Sequence, residues 1–552
     1  MLIDIIKEKI RESIKSQNLS PPSKSKIKVE YPKFKQYGDY ATNVALSLSK
    51  KYKKKPMLLA KKIAIFLNSD PLFKEVYAEK PGFINFRIAY KILKHNLKEI
   101  DKQKEKYGSN LQKGKNKKVL LEFISANPTG PLNVVNARAA ALGDSLANIL
   151  SFLGYYVERE YYINDAGNQI ELLVESVECE LNKLDNIEVE ELEDGYKGEY
   201  IVEIAKNILE SEGPNFFNLS KKERYRKIRK CSVSSILENQ RKTLEAFKVN
   251  FDNWISEREL RQKGCVEDVL TYLSETGNIF DRDGAVWLSS SKFGDVKDRV
   301  IMRTDGSVTY LVPDLAYHIT KYKRGFDKII DILGPDHHSH ISKLKAGITV
   351  LGYKASTISF ILLQQVNLIV DKKKVKMSKR EGNIITLQQL IDKVGTDVSR
   401  FFFIMRRYNT PLDFDLELAK KQSSENPVYY VQYVYARICS IEVMAKTQKI
   451  KIKNCKQEHL NRLVHDIELD IMRYLIKFPE LISHIGATYD VNLLTTYLIE
   501  LASLFHSFYQ KYKIINQKHK ELSLARLYLC NTVKIVINNG LKLLGISAPS
   551  KM

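Results

Sequence analysis

Apolar residues follow two rhythms along this chain, and the changes of rhythm divide it. Near the start Ile3, Ile6, Ile10 and Ile14 recur three or four positions apart, which gathers them on one face of a helix. The Pro-, Ser- and Lys-rich stretch Pro21–Lys26 interrupts that pattern. A turn at Tyr37-Gly38-Asp39-Tyr40 follows, then a helix through Val44–Leu48 and an alternating strand, Phe83-Ile84-Asn85-Phe86. Residues 1–115 are therefore expected to form a small α+β domain, joined onward by the polar stretch Tyr107–Lys118. From 116 to 415 the rhythm is different. Val119–Ile124, Lys328–Leu333 and Ile358–Leu363 are nearly continuous apolar runs, as in strands covered on both faces of a parallel sheet. With the strand Tyr155–Ile163 they alternate with helical stretches, one of them Ala-rich and ending near Leu153. That alternation predicts a doubly wound α/β sheet whose ligands gather at the carboxyl ends of its strands. The acidic segment Glu175–Asp194 signals an insertion, placed at about 171–300. Beyond 416 the strand rhythm vanishes. Tyr429–Met444, Leu460–Lys477, Leu493–Tyr512 and Leu522–Leu544 predict an all-α bundle running to 552.

Composition adds a partner class. The 552 residues are 44% hydrophobic and 28% charged, a globular mix that excludes a fibrous or wholly disordered chain. Lys and Arg number 88 against 65 Asp and Glu, a net charge of +23. A chain this basic often meets a polyanion such as nucleic acid, although a lysine-rich composition gives the same figure. The six cysteines include no C-x-x-C pair, which argues against zinc or a disulfide framework and for a reducing cytoplasm. No apolar run reaches the ~18 residues of a spanning helix, so no membrane role is expected. Asp4, Glu8 and Glu12 among the first apolar residues argue against a signal peptide.

Several common motifs are absent. No G-x-G-x-x-G follows the first strand, Gly108 to Lys115 lacks the spacing of a P-loop, and there is no H-E-x-x-H. Two loops suit phosphate chemistry instead. Ser125-Ala126-Asn127-Pro128-Thr129-Gly130-Pro131-Leu132-Asn133-Val134-Val135-Asn136 leaves a strand, turns and opens a helix with two amides three apart, and helix N-termini favour phosphate. Lys376-Met377-Ser378-Lys379-Arg380 sets three cations around a serine just ahead of a helix near Thr386, which suits the charge growing on a leaving pyrophosphate. Asp336-His337-His338-Ser339-His340 follows a predicted strand. Lacking a Cys or carboxylate partner at ligand spacing, it reads as a substrate pocket rather than a metal site.

Taken together the two loops resemble class I aminoacyl-tRNA synthetases, and specifically the arginyl-tRNA synthetase family. The resemblance extends over essentially the whole chain. It includes Gly38–Ala45, Pro81–Phe86, Tyr161–Ile170, Tyr310–His318, Leu333–His338, Asn426–Tyr433 and Leu543–Pro549. It implies a Rossmann-type catalytic domain over 116–415, an N-terminal domain that touches the tRNA body with Lys50–Lys55, and a helical anticodon-binding domain over 416–552. The substrates implied are arginine, arginine tRNA and ATP with Mg2+, with no zinc, in a cytoplasmic monomer whose arginine activation needs bound tRNA. Asn127, Glu257, Tyr310, Asp314 and Gln169 match the arginine pocket. Arginine offers five donors and no acceptor, so carboxylates and oxygens suit it. Ser378, Met377, Thr129, Gly130, His337 and His338 would face ATP. Lys379 and Lys376 would stabilise the reacting phosphates, with Asn133 and Asn136 standing where the family has histidines. Tyr430, Tyr433, Arg437, Phe505 and Tyr509 are candidates to meet tRNA bases. The chain departs from the family at its first signature, where Asn133-Val134-Val135-Asn136 replaces His-(Ile/Val)-Gly-His. That departure raises a second reading, a catalytically silent paralogue that binds tRNA. A third is a nucleotidyltransferase of the same fold with no tRNA substrate.

Overall fold

The computed structural model describes residues 1–190, 192–375 and 385–552. The N-terminal helix α1 (Leu2–Lys15) buries Ile6, Ile10 and Ile14, as their spacing predicts. It is followed by β1 (Tyr40–Thr42), α2 (Val44–Tyr52), α3 (Pro56–Asn68), β2 (Phe73–Glu79), β3 (Phe83–Ile88) and α4 (Tyr90–Gln103). The three strands form an antiparallel sheet in the order β1-β3-β2. Gly38 turns the chain into β1 at φ +92°, and a Cβ there would lie 2.6 Å from the Phe86 carbonyl oxygen, so no other residue closes this turn.

The central unit begins with β4 (Lys118–Glu122), α5 (Val134–Phe152) and β5 (Tyr156–Ile163). Helices α6 (Asn168–Leu184), α7 (Glu199–Glu212) and α8 (Lys221–Ala246) are inserted before β6 (Asn253–Ser256). The chain continues through α9 (Glu257–Gln262), α10 (Cys265–Glu275) and a small antiparallel sheet, β7 (Ile279–Arg282), β8 (Ala285–Leu288) and β9 (Arg299–Met302). It closes with α11 (Leu311–Lys323), β10 (Lys328–Leu333), α12 (His338–Val350) and β11 (Ile358–Leu362). Among the described residues the main sheet has the order β11-β10-β4-β5-β6, every pair parallel. From β4 the chain builds outward through β5 and β6, then returns to the other side of β4 for β10 and β11. The loops leaving β4 and β10 therefore diverge and open a crevice.

A second small sheet follows, with β12 (Val366–Val370) between β13 (Lys373–Val375) and β14 (Leu412–Asp415). The helices α13 (Leu387–Val394), α14 (Thr396–Ile404) and α15 (Leu416–Lys420) pack around it. The rest is helical: α16 (Pro427–Thr447), α17 (Gln457–Leu460), α18 (Asp466–Leu475), α19 (Phe478–Thr488), α20 (Asn492–Lys511) and α21 (Lys520–Leu543). The single helix expected over Leu460–Lys477 is in fact divided. A new N-terminus forms at Asp466, where the His465 N–H donates to Glu468 Oε2 (3.1 Å) and acidic residues fill the first turn. The insertion also begins earlier than its acidic segment suggests, because Glu175 lies in the middle of α6.

Charge is buried at the centre of the main sheet. Glu160 on β5, Glu122 on β4 and Asp331 on β10 stand in register on three adjacent strands. Helix α11 covers them. Its Lys321 ammonium pairs with Glu122 and with Asp331 (2.9 Å), and His318 Nε2 reaches Asp331 (2.9 Å). The Tyr317 hydroxyl donates to Glu160 (2.7 Å), and Arg324 grips the same carboxylate through both Nη atoms (2.6 and 2.9 Å). Burial opposes the charge of Lys321, yet Asp331, Glu122 and Glu160 raise its pKa above the ordinary lysine value. Burial likewise opposes the Asp331 carboxylate, and Lys321 and His318 still hold its carboxyl below the usual range.

Lys321→Met should lower stability by about 3–5 kcal/mol, because it leaves two buried carboxylates short of a cation. Thermal denaturation checks this. The stabilisation from a depressed carboxyl is present above the unfolded Asp value and is lost as pH falls through the lower folded one. Asp331→Asn should therefore show a shallower drop in Tm between about pH 5 and pH 2 than the parent.

Candidate active site

The crevice is a cavity of about 480 Å³ between the loops that leave β4 and β10. Its floor is backbone under strain. Ile124 and Ser125, directly after β4, have φ of +72° and +42°, a region that costs non-glycine residues about 1–3 kcal/mol each. Side chains hold this shape. Ser125 Oγ donates to Glu122 (2.7 Å) and accepts from the Tyr162 N–H (3.1 Å), while the Ala126 N–H donates to the Tyr161 hydroxyl (3.2 Å). The next residue, Asn127, lines the cavity and donates through Nδ2 to Gln169 Oε1 (2.6 Å).

Of the two acidic residues expected at an arginine pocket, Asp314 lines this cavity and Glu257 stands outside its lining at the end of β6. Asp314 lies in the first turn of α11 and lines the cavity, with Oδ2 2.7 Å from His340 Nε2. Glu257 opens α9 at the end of β6, is 7% exposed, and accepts from Arg261 Nε (2.9 Å) and Nη2 (2.7 Å). Tyr162 lines the cavity as well. Burial first, then the Glu257, Asp314 and Glu122 carboxylates, push its hydroxyl far above the ordinary tyrosine value, so it stays a donor. Tyr310 caps α11 at the cavity edge and is 72% exposed. His337 also lines the cavity, whereas His338 is exposed and starts α12. Thr129 and Gly130, expected to face ATP, are instead buried beneath α7 and α8, their carbonyls accepting from the Tyr200 hydroxyl (3.0 Å) and Gln240 Nε2 (2.9 Å).

Asn133 and Asn136 form a reciprocal cap on α5. Asn133 Oδ1 accepts from the N–H groups of Val135 (3.0 Å) and Asn136 (3.2 Å), and Asn136 Oδ1 accepts from the Asn133 N–H (3.0 Å). Both oxygens are thus engaged, and each amide keeps its Nδ2 group as a donor. The chain that follows the Lys376–Arg380 motif returns to this point. Leu387 N–H donates to Leu132 O (2.8 Å), and Thr386 pairs with Asn133. Lys376, Met377, Ser378, Lys379 and Arg380 themselves lie outside the described residues.

Of the candidate base-contacting residues, Tyr433 and Tyr509 are exposed and flank Arg437, whose guanidinium lies 4.9 and 5.2 Å from their ring centres. Tyr430 is half-buried against His506. Phe505 is a correction. It is fully buried in the bundle core, because α20 directs its apolar stripe inward, and it offers no face to a base. Sequence reasoning did not single out Arg261, Gln240 or the pairing of His340 with Asp314. Gln240 did leave a signal, since Ile228, Ser232, Ile236, Gln240 and Leu244 run along the buried face of an otherwise charged helix. No helix among the described residues is long and apolar enough to cross a membrane.

Comparison with known proteins gives matches along the chain. Residues 4–88 match the arginyl tRNA synthetase N-terminal domain, 96–402 the catalytic domain of class I (R) tRNA synthetases, and 431–552 the DALR anticodon binding domain. An arginine–tRNA ligase of Carboxydothermus hydrogenoformans is 43% identical over 98% of this chain and 97% of its own length. The Bacillus subtilis arginine–tRNA ligase is 42% identical over 100% and 99%. The solved arginyl-tRNA synthetase of Thermus thermophilus shares the fold, with a TM-score of 0.78 over 100% of both chains at 19% identity.

Removing the reciprocal cap should be measurable apart from any catalysis. Asn133→Ala should lower stability by about 0.5–2 kcal/mol and speed hydrogen exchange at the Val135 and Asn136 amides. Unchanged exchange there would mean that the cap does not form.

Proposed function

This chain belongs to the arginyl-tRNA synthetase family, and we infer from that membership and from the crevice that it is a class I arginine–tRNA ligase. The observation that carries the reading is the crevice at the switch point of the sheet, where Asp314 and Tyr162 line a cavity with Asn127, while the nearly buried Glu257 stands at the end of β6, the strand paired with that of Tyr162. A guanidinium and an α-ammonium need that set of acceptors. In the first step an arginine carboxylate oxygen attacks the α-phosphorus of ATP. The bond to the β-phosphate oxygen breaks, and pyrophosphate leaves with its electron pair. In the second step a hydroxyl of the terminal ribose of the tRNA attacks the carbonyl carbon of arginyl-adenylate, and AMP leaves. Asn127, Gln169, Glu257, Tyr310 and Asp314 would hold arginine, with His340 and Arg261 yielding their places on the two carboxylates. Ser378, Met377, His337 and His338 would surround ATP, and Mg2+ would travel with its phosphates, while the buried Thr129 and Gly130 would act only through the shape of their loop. Lys379 and Lys376 would meet the charge that develops on pyrophosphate. The Nδ2 groups of Asn133 and Asn136 would donate where the family has histidines.

Residues 1–115 would touch the tRNA body, 116–415 would carry the chemistry, and 416–552 would grip the anticodon. Tyr433, Arg437 and Tyr509 are the accessible candidates for base stacking, with Tyr430 beside them. The enzyme would work in the cytoplasm as a monomer. A silent tRNA-binding paralogue finds no support in relatives that match over their whole length under the ligase name.

Purified protein with arginine, ATP-Mg and arginine tRNA should form arginyl-tRNA. Tight tRNA binding with no product at saturating ATP would overturn the ligase reading. Asp314→Asn should raise the arginine KM by about 10- to 100-fold, the loss of one charged partner, with the ATP KM nearly unchanged. Lys379→Ala should lower the rate of adenylate formation by about 10-fold or more while arginine affinity holds, because a cation facing the leaving group acts mainly in the transition state.

A further inference from the structure

Helix α8 belongs to the insertion, yet its Gln240 reaches the loop that follows the floor of the crevice. Gln240 is 1% exposed and sits on the face of α8 that otherwise buries Ile228, Ile236 and Leu244. Its amide is satisfied at both ends. Oε1 accepts from the Tyr161 hydroxyl (2.8 Å), and Nε2 donates to the Gly130 carbonyl (2.9 Å) and leans toward that of Asn127 (3.5 Å). Tyr161, backed by the Trp254 ring at 4.3 Å, takes the Ala126 N–H (3.2 Å). From α7 the Tyr200 hydroxyl donates to the Thr129 carbonyl (3.0 Å). The backbone from Ala126 to Gly130 is therefore pinned from outside the loop by three side chains, immediately after the strained residues Ile124 and Ser125.

We propose that Gln240 is a positioning residue for catalysis, holding the 126–130 loop so that Asn127 meets arginine, with Tyr200 as its partner on the same loop. This inference rests on the arginine pocket proposed above. Gln240 and Tyr200 supply donors to the Gly130 and Thr129 carbonyls from two different helices, and a buried amide amid apolar neighbours is retained only where both of its ends are used. Without it the strained strand exit has room to relax, and a shift of about 1 Å at a substrate contact lowers turnover by up to about 100-fold.

The test is arginine-dependent ATP–pyrophosphate exchange with arginine tRNA present, beside tRNA binding and Tm. Gln240→Met keeps the volume and loses both hydrogen bonds. It should raise the arginine KM and lower kcat, together by about 10- to 100-fold in kcat/KM, with tRNA affinity within about twofold of the parent. Tyr200→Phe, at a half-buried position, should shift the same parameters in the same direction by about 3- to 10-fold. Folded Gln240→Met with parental arginine KM and kcat overturns the proposal. If Gln240→Met does not fold, Tyr200→Phe decides, and a parental arginine KM there overturns it. Asp314→Asn in the same assay separates the two layers. If its arginine KM is unchanged, the pocket reading fails. If it rises while Gln240→Met and Tyr200→Phe stay parental, only the positioning role fails.

Discussion

Three carboxylates buried side by side on neighbouring parallel strands can stay charged only if cations are brought to them, and here one helix and the residues at its end bring nearly all. Lys321 and His318 on α11, with Arg324 one residue past it, face Glu122, Glu160 and Asp331. Both ring nitrogens of His318 are engaged, one with Asp331 and the other with the Asp314 carbonyl (2.7 Å), which fixes the ring between the sheet and its own helix. Three negative groups thus face Lys321 and Arg324, with the His318 ring hydrogen-bonded beside them. Apolar replacements for such a cluster are often neutral in stability, so register is what it can supply and a greasy interface cannot. A one-turn slip of α11 would leave charges uncompensated in the sheet. Because the same helix carries Asp314 one turn before His318, the buried cluster also fixes where the crevice presents its acid.

The rest of the site hangs on the reversal of strand order beside β4. The loop after β4 cannot follow a regular path, because it must clear the mouth between β4 and β10. It does so through two left-handed residues that are not glycine. Strain of that kind persists only where the surroundings over-determine it. Here they do, through Ser125 with Glu122 and Tyr162, and through Tyr161, Tyr200 and Gln240 with the loop beyond. Two of those holders come from the insertion, which makes it part of the crevice wall rather than an appendage.

Much of this was legible in the sequence because periodicity reports faces. Continuous apolar runs gave β4, β10 and β11 nearly to the residue, and the isoleucine spacing gave α1. Periodicity does not report partners. His340 on Asp314 joins two different helices and leaves no trace in spacing, whereas Arg261 on Glu257 has the i,i+4 spacing of one helix and is legible only once that short helix is placed. The same limit explains Phe505. An aromatic residue beside basic ones reads equally as a base platform or as core, and only the direction of α20 decides. It explains the division near Asp466 as well, where a capping interaction, not a break in apolar spacing, starts the new helix.

The Asn133-Val134-Val135-Asn136 sequence gains a physical meaning from its cap. A helix N-terminus that greets phosphate usually offers bare backbone N–H groups. Here the N–H groups of Asn133, Val135 and Asn136 are taken by side-chain oxygens, so the polar groups left at that end of α5 are two neutral amides. Neutral donors make weaker hydrogen bonds to an anion than cationic ones. If pyrophosphate leaves from this corner, most of its charge must therefore be met by the Lys376–Arg380 segment. The pairing of Thr386 with Asn133, and of Leu387 with Leu132, ties the return of that segment to the capped terminus. On the proposed reading, a terminus that cannot supply charge is joined by backbone to the chain that follows the stretch proposed to supply it, and the departure at the first signature is a division of labour between two loops.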